Sequence, residues 1–241
     1  PVIDELNKLF FRLKEGFERE KRFAADAAHE LRTPLAALKT QAQVALHSND
    51  IEEKNQALQK LIASVNRSTH IVQQLLTMSR LVPEAAHMEE KDEVNLSRLT
   101  REILAMLAPA AVEKQIDLEF ESDEENLTIY GNSTALGILI RNLVDNAIRY
   151  CNEHGRIIVR LAKRQNEIML EVSDNGPGIP SELQPRVFER FFRVLGNKSP
   201  GSGLGLAIVQ QIAELHGGRL MMDTPKEGTG LIVRFFLPIK E

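Results

Sequence analysis

The chain has 241 residues, of which 43% are hydrophobic and 27% charged, with a formal net charge of −4 and a pI near 6.0. This length allows one large domain or two modest ones, and the slightly acidic balance argues against a nucleic-acid-binding protein. A single cysteine, Cys151, excludes an internal disulfide framework and fits a reducing compartment. No apolar run approaches the roughly 20 residues that span a bilayer. The first residue is Pro1 and no signal peptide follows it, which suggests a fragment of a longer protein.

The first 82 residues are predicted to be almost entirely helical. Apolar residues recur at alternate spacings of three and four, the pattern of a coiled-coil seam. The seam positions are Ile3, Leu6, Phe10, Leu13, Phe17, Ala24, Ala27, Leu31, Pro34, Leu38 and Ala45, with interruptions at Glu20 and Gln41. Such a stripe needs a partner helix.

A second helix is predicted after the break at His47–Asp50. Asp50 and Glu53 have the spacing of a capping box at its start. Its apolar stripe is predicted at Leu58, Leu61, Val65, Val72 and Leu75. Two antiparallel helices, doubled by a second copy, make a four-helix bundle, so we expect a homodimer.

Beyond a polar linker at 83–92, helices and strands alternate. Helices are predicted at 95–114, 133–150 and 203–216, and strands at 116–120, 127–130, 156–163, 167–173, 219–223 and 231–237. This order predicts an α/β sandwich with helices on one face of a mostly antiparallel sheet.

His29 is the first candidate for chemistry. It falls at position f of the seven-residue frame, the most solvent-facing position, and Thr33 lies one turn further on the same face. The neighbouring Glu30 could take a proton from one ring nitrogen while the other attacks an electrophile. An exposed histidine on a charged helix face is the commoner explanation, and only a donor site elsewhere makes the nucleophile useful.

Three motifs in the second region could form that donor site. Asn142 and Asn146 project from one face of a helix, three residues before Arg149, and amide oxygens beside phosphates can bind Mg²⁺. The segment Asp174–Ile179 offers an acceptor for the adenine amine and glycines that admit the base. Glycines at positions 201, 203 and 205 open a helix, where backbone N–H groups can face phosphate.

The remaining motifs are weaker. Phe188–Arg193, followed by a polar stretch to Pro200, is typical of a hinged lid. Gly228–Gly230 indicates a turn and nothing more specific. Each motif alone has an ordinary structural explanation, but their joint occurrence in this order does not.

In this order the motifs resemble the H, N, G1, F and G2 boxes of bacterial sensor histidine kinases. The segment Asp26–Leu35 is similar to that of QseC-like kinases, and 1–22 resembles the end of a HAMP signalling helix. The resemblance implies a signalling helix at 1–22, a dimerisation and phosphoacceptor hairpin of the HisKA type at 23–82, the linker at 83–92 and an ATP-binding domain of the GHKL (Bergerat) fold at 93–241.

The resemblance also implies roles for single residues. His29 would be the phosphoacceptor, Glu30 its base, and Thr33 would position a water that dephosphorylates the partner. ATP and Mg²⁺ would bind at Asn142 and Asn146 (both at the metal), Arg149, Tyr150, Asp174, Gly176, Gly178, Ile179, Gly201, Gly203, Leu204, Gly205 and Leu206. Arg190 or Arg193 would assist the transfer.

The implied partners are a second copy of the chain and the receiver domain of a response regulator. The implied location is the cytoplasmic face of the bacterial inner membrane, reached through a missing transmembrane region. Arg149 stands where lysine is commoner in the family, and Asn132 where aspartate is usual. Both leave the required groups in place, so we expect an active enzyme.

Two other functions remain open. An ATPase of the gyrase, Hsp90 or mismatch-repair type would need a carboxylate to activate water where this chain has Asn142. A dimeric scaffold could bind nucleotide only as a structural signal.

Overall fold

The computed structural model describes residues 2–84, 92–194, 201–225 and 229–239. The chain divides into two compact units, Pro1–Leu76 and Thr77–Glu241. Within the described ranges, no helix combines the length and the apolar character needed to cross a membrane. Most of the predicted linker lies outside the described residues.

Two long helices make up the N-terminal region, as predicted. Helix α1 runs over Val2–His47 and continues through Pro34 without a break, and α2 runs over Ile51–Glu84. The predicted capping box is only half formed. Oδ1 of Asp50 accepts the N–H of Glu52 at 2.9 Å, but the Glu53 carboxylate accepts the hydroxyl of Ser48. That hydroxyl oxygen in turn accepts the N–H of Asp50, so the serine has taken the glutamate's usual place.

The apolar stripe predicted for α2 is divided between two faces. Leu61 and Leu75 lie on the less exposed face, but Leu58, Val65 and Val72 are 47%, 43% and 42% exposed. The less exposed face alternates spacings of four and three and includes small residues: Ala57, Leu61, Ser64, Ser68, Ile71 and Leu75. Alanine and serine carry little hydrophobic signal, so the predicted stripe left out most of this face, while Leu58, Val65 and Val72 are exposed within one chain.

The second unit is an α/β sandwich, as predicted. Its elements are β1 (Asp92–Asn95), α3 (Leu96–Glu113), β2 (Asp117–Ser122), β3 (Thr128–Gly131), α4 (Ser133–Tyr150), β4 (Arg156–Arg164), β5 (Glu167–Asp174), α5 (Gly205–Leu215), β6 (Arg219–Asp223) and β7 (Leu231–Pro238). The main sheet has the order β2-β4-β5-β7-β6, with β2 and β4 parallel and the other pairs antiparallel.

Two boundaries differ from the prediction. Strand β1 was not predicted: its first residue fell in the predicted linker and its last in the predicted helix, but it pairs with β3 in a separate two-stranded sheet. Helix α5 starts at Gly205 and not at position 203, because Gly203 has a φ of +71° that a helix cannot contain.

The core lies between the helices and the inner face of the sheet. Helix α4 buries residues at helical spacing, among them Leu136, Leu139, Leu143 and Ala147. Asn142, Asn146 and Arg149 lie on its other side and are half-buried. The periodicity that buries one face of α4 therefore also fixes where the polar motif points.

Both ends of α4 are held by hydrogen bonds. At the start, Oδ1 of Asn132 accepts the N–H of Ala135 at 2.9 Å, so Asn132 is the N-cap of the helix. The N–H of Asn132 donates to Nε2 of His216, whose Nδ1 contacts the carbonyl of Ile212. At the end, Nζ of Lys114 donates to the carbonyls of Ile148 and Arg149 at 2.9 and 2.8 Å. Asparagine therefore serves well at position 132 as a helix cap.

The outer face of the sheet carries a row of alternating charges, one from each strand. Arg160 pairs with Glu121 at 2.6 Å and with Glu171 at 3.1 Å, and Glu171 pairs with Arg234 at 2.6 Å. Arg234 also contacts Asp223 on the edge strand β6. Glu171 is the most buried member, with 9% of its side chain exposed. We call these five residues the charge ladder.

Candidate functional site

His29 is exposed on α1, as its position in the seven-residue frame predicts. Thr33, one turn later, is exposed as well, whereas Leu31 is half-buried and Pro34 is buried. Glu30 is half-buried. The side chain with a nucleophilic nitrogen therefore faces solvent, and the hydroxyl of Thr33 lies on the same side of the helix.

The first residue of α5 faces the two asparagines of α4. A Cβ added at Gly205 would lie 3.2 Å from Oδ1 of Asn142 and 3.3 Å from Nδ2 of Asn146. The amide nitrogen of Asn142 donates to the carbonyl of Ile138 at 2.8 Å, which leaves its oxygen directed towards Gly205. The structure brings these two motifs together.

The end of α4 lies against the start of the glycine turn. A Cβ at Gly201 would lie 3.2 Å from the hydroxyl of Tyr150 and 3.5 Å from Nη1 of Arg149. The second terminal nitrogen of the Arg149 guanidinium, Nη2, donates to the Asp145 carboxylate at 2.8 Å. We call the space bordered by Asn142, Asn146, Arg149 and Tyr150 with the glycines at 201 and 205 the α4 groove.

Asp174 ends β5 beside this groove. Its Oδ1 accepts the N–H of Gly176 at 2.9 Å, and a Cβ at Gly176 would lie 3.0 Å from the carbonyl oxygen of Tyr150. Burial raises the pKa of the Asp174 carboxyl above its ordinary value, although the N–H groups of Gly176 and Leu231 act in the opposite direction. A desolvated carboxylate of this kind is a strong acceptor for a ligand N–H.

Gly230 is a neighbour of Asp174 that sequence analysis left as part of a plain turn. A Cβ there would overlap the carbonyl oxygen of Asp174, and a Cβ at Gly178 would lie 2.6 Å from the carbonyl oxygen of Gly230. Gly178 also has a φ of +71°. The segment after β5 and the segment before β7 therefore meet backbone to backbone. In the sequence, this contact was indicated only by the glycine before β7.

The aromatic motif is joined to the glycine turn. The N–H of Phe191 donates to the carbonyl of Gly203 at 3.0 Å, and a Cβ at Gly203 would lie 2.6 Å from the carbonyl carbon of Phe191. Arg190 and Arg193 are exposed on either side of this contact. Residues 195–200, most of the predicted lid, lie outside the described residues.

The other predicted ligand residues occupy different surroundings. Ile179 and Leu206 are half-buried, and the carbonyl of Ile179 accepts the side-chain amide of Gln184 at 3.1 Å. Leu204 is 0% exposed, and its N–H donates to the Ser202 hydroxyl. The Leu204 side chain is therefore packed in the core below the glycine turn and has no exposed surface for a ligand, contrary to the prediction.

The donor set of the α4 groove suits a hard divalent cation that is bound mainly by a ligand's phosphates. Oδ1 of Asn142 is available on the groove side, and Asn146 lies one turn further. Among the described residues, no group of three or more histidines, cysteines and carboxylates could hold a metal by itself. Amide oxygens with phosphate and water ligands are the arrangement that Mg²⁺ accepts.

Comparison with known proteins separates the possible functions. Residues 131–241 match the family of histidine kinase-, DNA gyrase B- and HSP90-like ATPases, and residues 19–84 match the His Kinase A (phospho-acceptor) domain. The crystallised catalytic domain of histidine kinase ThkA is 32% identical, with a TM-score of 0.57, and the match covers 62% of this chain and 95% of that domain. This chain belongs to the sensor histidine kinases.

Full-length relatives place this histidine kinase chain in the QseC-like group. The sensor protein kinase PmrB of Pseudomonas aeruginosa is 42% identical over 238 residues, which is 98% of this chain and 49% of PmrB. The sensor protein QseC of Escherichia coli is 38% identical over 229 residues, 95% of this chain and 50% of QseC. The chain thus spans about half the length of these relatives.

A further solved structure covers both units of this kinase chain. In a complex of ThkA with the response regulator protein TrrA, ThkA is 27% identical to this chain. The TM-score is 0.64, and the match covers 90% of this chain and 61% of that one. The predicted fold class, a helical hairpin followed by an α/β sandwich ATPase domain, is confirmed.

Proposed function

We propose that this chain binds ATP in the α4 groove and transfers the γ-phosphoryl group to His29. One observation carries the proposal: an exposed histidine lies in the stretch that matches the phosphoacceptor family, and the same chain has a groove with asparagines and glycines in the stretch that matches the ATPase family. The neutral amide of Asn142, where the related ATPases need a carboxylate, favours phosphotransfer over hydrolysis.

Each groove residue has a role that its surroundings support. The Asp174 carboxylate accepts the exocyclic amine of adenine, and Gly176 and Gly178 leave room for the base. Arg149 and Tyr150 contact the phosphates at the end of α4. Asn142 and Asn146 hold Mg²⁺, which when bound offsets the charge of the phosphate oxygens. Gly201, Gly203, Gly205 and Leu206 border the phosphate end, and Arg190 or Arg193 assists the transfer.

At His29 the reaction is a displacement at phosphorus. One imidazole nitrogen forms the N–P bond as the bond from the γ-phosphorus to the bridging oxygen breaks, and ADP leaves with that electron pair. The proton lost from the other ring nitrogen passes to the Glu30 carboxylate. Catalysis in this scheme is mainly positioning and charge stabilisation.

We propose that the phosphoryl group then passes to an aspartate of a response regulator. The described ThkA complex with a response regulator supports a partner of this class. We propose that Thr33 orients a water that dephosphorylates the regulator; its exposure one turn from His29 supports this role. If a Thr33→Ala chain accepts phosphate at His29 but dephosphorylates the regulator as fast as before, that role is wrong.

We also propose a homodimer held at the cytoplasmic face of the bacterial inner membrane. The exposed row of Leu58, Val65 and Val72 on α2 gives a second copy an apolar surface to cover. Relatives twice the length of this chain leave room for a membrane sensor elsewhere in the whole protein. The domain division at 22/23, 82/83 and 92/93 remains a prediction.

Incubation with γ-labelled ATP and Mg²⁺ tests the proposal. We expect an acid-labile, base-stable label on the chain that is lost in His29→Ala and kept in His47→Ala, an exposed histidine on the same helix. Release of free phosphate without labelled protein would instead support the ATPase, and binding without either product would support the scaffold.

A further inference from the structure

The side chain of Asn175 extends the β4–β5 ladder by one step. Asp174 is the last residue of β5 and pairs with Ile157. One residue later, the backbone N–H of Asn175 donates to the carbonyl of Arg156 at 3.2 Å, and Oδ1 of Asn175 accepts the N–H of Arg156 at 2.8 Å. A side-chain oxygen thus replaces the backbone acceptor, and the main chain is free to leave the sheet towards Gly176.

The same oxygen contacts the segment that follows α4. The thiol of Cys151 donates to Oδ1 of Asn175 at 3.3 Å. A Cβ at Gly155 would lie 2.9 Å from this oxygen, so the segment approaches it closely. Cys151 directly follows Tyr150 of the α4 groove. The side-chain oxygen of Asn175, the residue after Asp174, is therefore bonded to both the end of α4 and the start of β4.

These contacts hold the backbone of Asn175, the residue next to Asp174, against the start of β4 and the segment after α4. That carboxylate has one intramolecular hydrogen bond to its own turn, from the N–H of Gly176. Its direction therefore depends on the path of the backbone at positions 174–176, together with the N–H of Leu231 in β7, which also acts on this carboxylate. A shift of this path by a fraction of an ångström would misalign a single hydrogen bond to a base while leaving the phosphate contacts of α4 in place.

We propose that Asn175 is a positioning residue for adenine recognition: its Oδ1, bonded to the N–H of Arg156 and the thiol of Cys151, sets the direction in which Asp174 presents its carboxylate to the base. The inference rests on the proposed binding of ATP in the α4 groove. The inference adds selectivity for adenine to the proposed binding of ATP. The Asp174 carboxylate can distinguish the amine of adenine from a carbonyl group only if it is held in a fixed direction.

Calorimetric titration of the 241-residue chain with ADP and with inosine diphosphate, whose base has a carbonyl in place of the amine, tests this. We expect Asn175→Ala to weaken ADP binding about tenfold and inosine diphosphate binding less than about threefold, so that the preference for adenine falls. Asn166→Ala, an exposed asparagine in the β4–β5 turn, should change neither affinity.

The conservative substitution Asn175→Asp keeps the acceptor, so we expect it to keep the preference for adenine within about threefold. Amide hydrogen exchange at Arg156 should accelerate in Asn175→Ala and stay slow in Asn175→Asp. Should Asn175→Ala not fold, the Asn175→Asp chain decides alone, since loss of adenine preference with the acceptor present contradicts the role.

Equal weakening of both nucleotides in Asn175→Ala would show a merely structural role and overturn the inference while the proposed function stands. Unchanged ADP binding would overturn it too. Failure of the unsubstituted chain to bind ADP would instead overturn the proposed function, and this inference with it.

Discussion

Gly205, the first residue of α5, faces Asn142 of α4 so closely that a Cβ at position 205 would lie only 3.2 Å from Oδ1 of the asparagine. The two residues come from motifs in different helices of the second unit, and both border the proposed phosphate and metal end of the groove. The contact leaves space for a ligand only because residue 205 has no side chain.

Replacement of Gly205 by alanine should therefore weaken nucleotide binding without unfolding the protein. The added methyl group pushes the Asn142 and Asn146 amides aside, and we expect ADP affinity with Mg²⁺ to fall about tenfold or more. Gly205 has no left-handed backbone, and alanine favours a helix, so the melting temperature should not fall. Gly16→Ala, with no atom within 4 Å of the added carbon, is the matched control. Unchanged ADP affinity in Gly205→Ala would contradict the assignment.

Loss of the Lys114 ammonium should loosen the end of α4. Its two hydrogen bonds to the carbonyls of Ile148 and Arg149 are charge-assisted and favour the helix C-terminus, so Lys114→Met should cost about 1–2 kcal/mol of unfolding free energy. We also expect a higher KM for ATP, because Arg149 and Tyr150 follow the helix end. Urea unfolding and labelling kinetics measure both effects. In the control Lys163→Met, at an exposed position on β4, neither the free energy of unfolding nor the KM for ATP should change.

The Asp174 carboxyl should make stability depend on pH in a definite direction. Burial raises its pKa in the folded protein, so the folded chain holds this proton up to a higher pH than the unfolded chain does. Stability therefore falls as pH rises between the two pKa values, and stays lowered above them. Asp174→Asn removes this loss of stability. We therefore expect a higher melting temperature than that of the unsubstituted chain at pH 7, and the difference between the two chains should disappear in acid. A pH-independent difference would contradict this explanation, and Asp92→Asn, at an exposed position, is the control.

Nucleotide binding should respond to the same titration. The ionised Asp174 accepts a hydrogen bond from the adenine amine, whereas the protonated form does so poorly. ADP affinity should therefore begin to fall on acidification at a pH above the ordinary range of an aspartate, and inosine diphosphate affinity should not follow it. Titrations with both nucleotides across the acid range measure this. Parallel pH profiles for the two nucleotides would exclude Asp174 as the base-reading residue.

Glu171, the most buried member of the charge ladder, should contribute more stability than a more exposed carboxylate of the same sheet. Its nearly buried side chain lies between Arg160 and Arg234, so Glu171→Gln leaves two arginines without their shared partner. We expect a loss of about 2–3 kcal/mol, towards the range for broken buried pairs. Glu119→Gln, on β2 outside the ladder, breaks a more exposed pair with Arg156, which solvent screens, and should cost clearly less than Glu171→Gln. Equal losses in urea unfolding would show that burial does not govern these pairs.

The exposed face of α2 should determine the oligomeric state. Val65 lies in the middle of the row that includes Leu58 and Val72, and Val65→Asp would put a charge into the proposed dimer surface. We expect a monomer by light scattering, whereas Asn66→Asp, at an exposed position one residue away, should remain dimeric. A dimer that survives Val65→Asp would show that a different surface pairs the two copies.

Strong periodicity made parts of this fold predictable from the sequence. Helix α4 was predicted with its observed ends, because a polar N-cap, Asn132, precedes a pattern of buried residues at helical spacing. The β4–β5 hairpin was predicted for similar reasons. Strand β1 was missed since it is short and polar and needs β3 beside it. On α2 the predicted stripe did not separate the less exposed face from the exposed row, because alanine and serine, and not leucine, occupy much of the less exposed face.

The main functional motifs were visible in the sequence and were expected to form one site, but some contacts that support the site were not visible. Short motifs identified Asp174 and the glycine turn, whereas the approach of Gly230 to Asp174 depends on β5 and β7 being neighbours in the sheet. The Asn175 contacts depend likewise on the path of the segment after α4. Sheet topology, which no local pattern encodes, decides both.

Strand β2 ends the main sheet with a row of acids on one face. Asp117, Glu119 and Glu121 alternate along it, and Asp123 follows directly. Within one molecule the arginines of β4 neutralise much of this charge. Two copies approaching through this open edge would bring their acidic rows together, and the repulsion opposes strand-to-strand polymerisation. The acidic edge thus protects the sheet from aggregation while leaving its inner face to the helices.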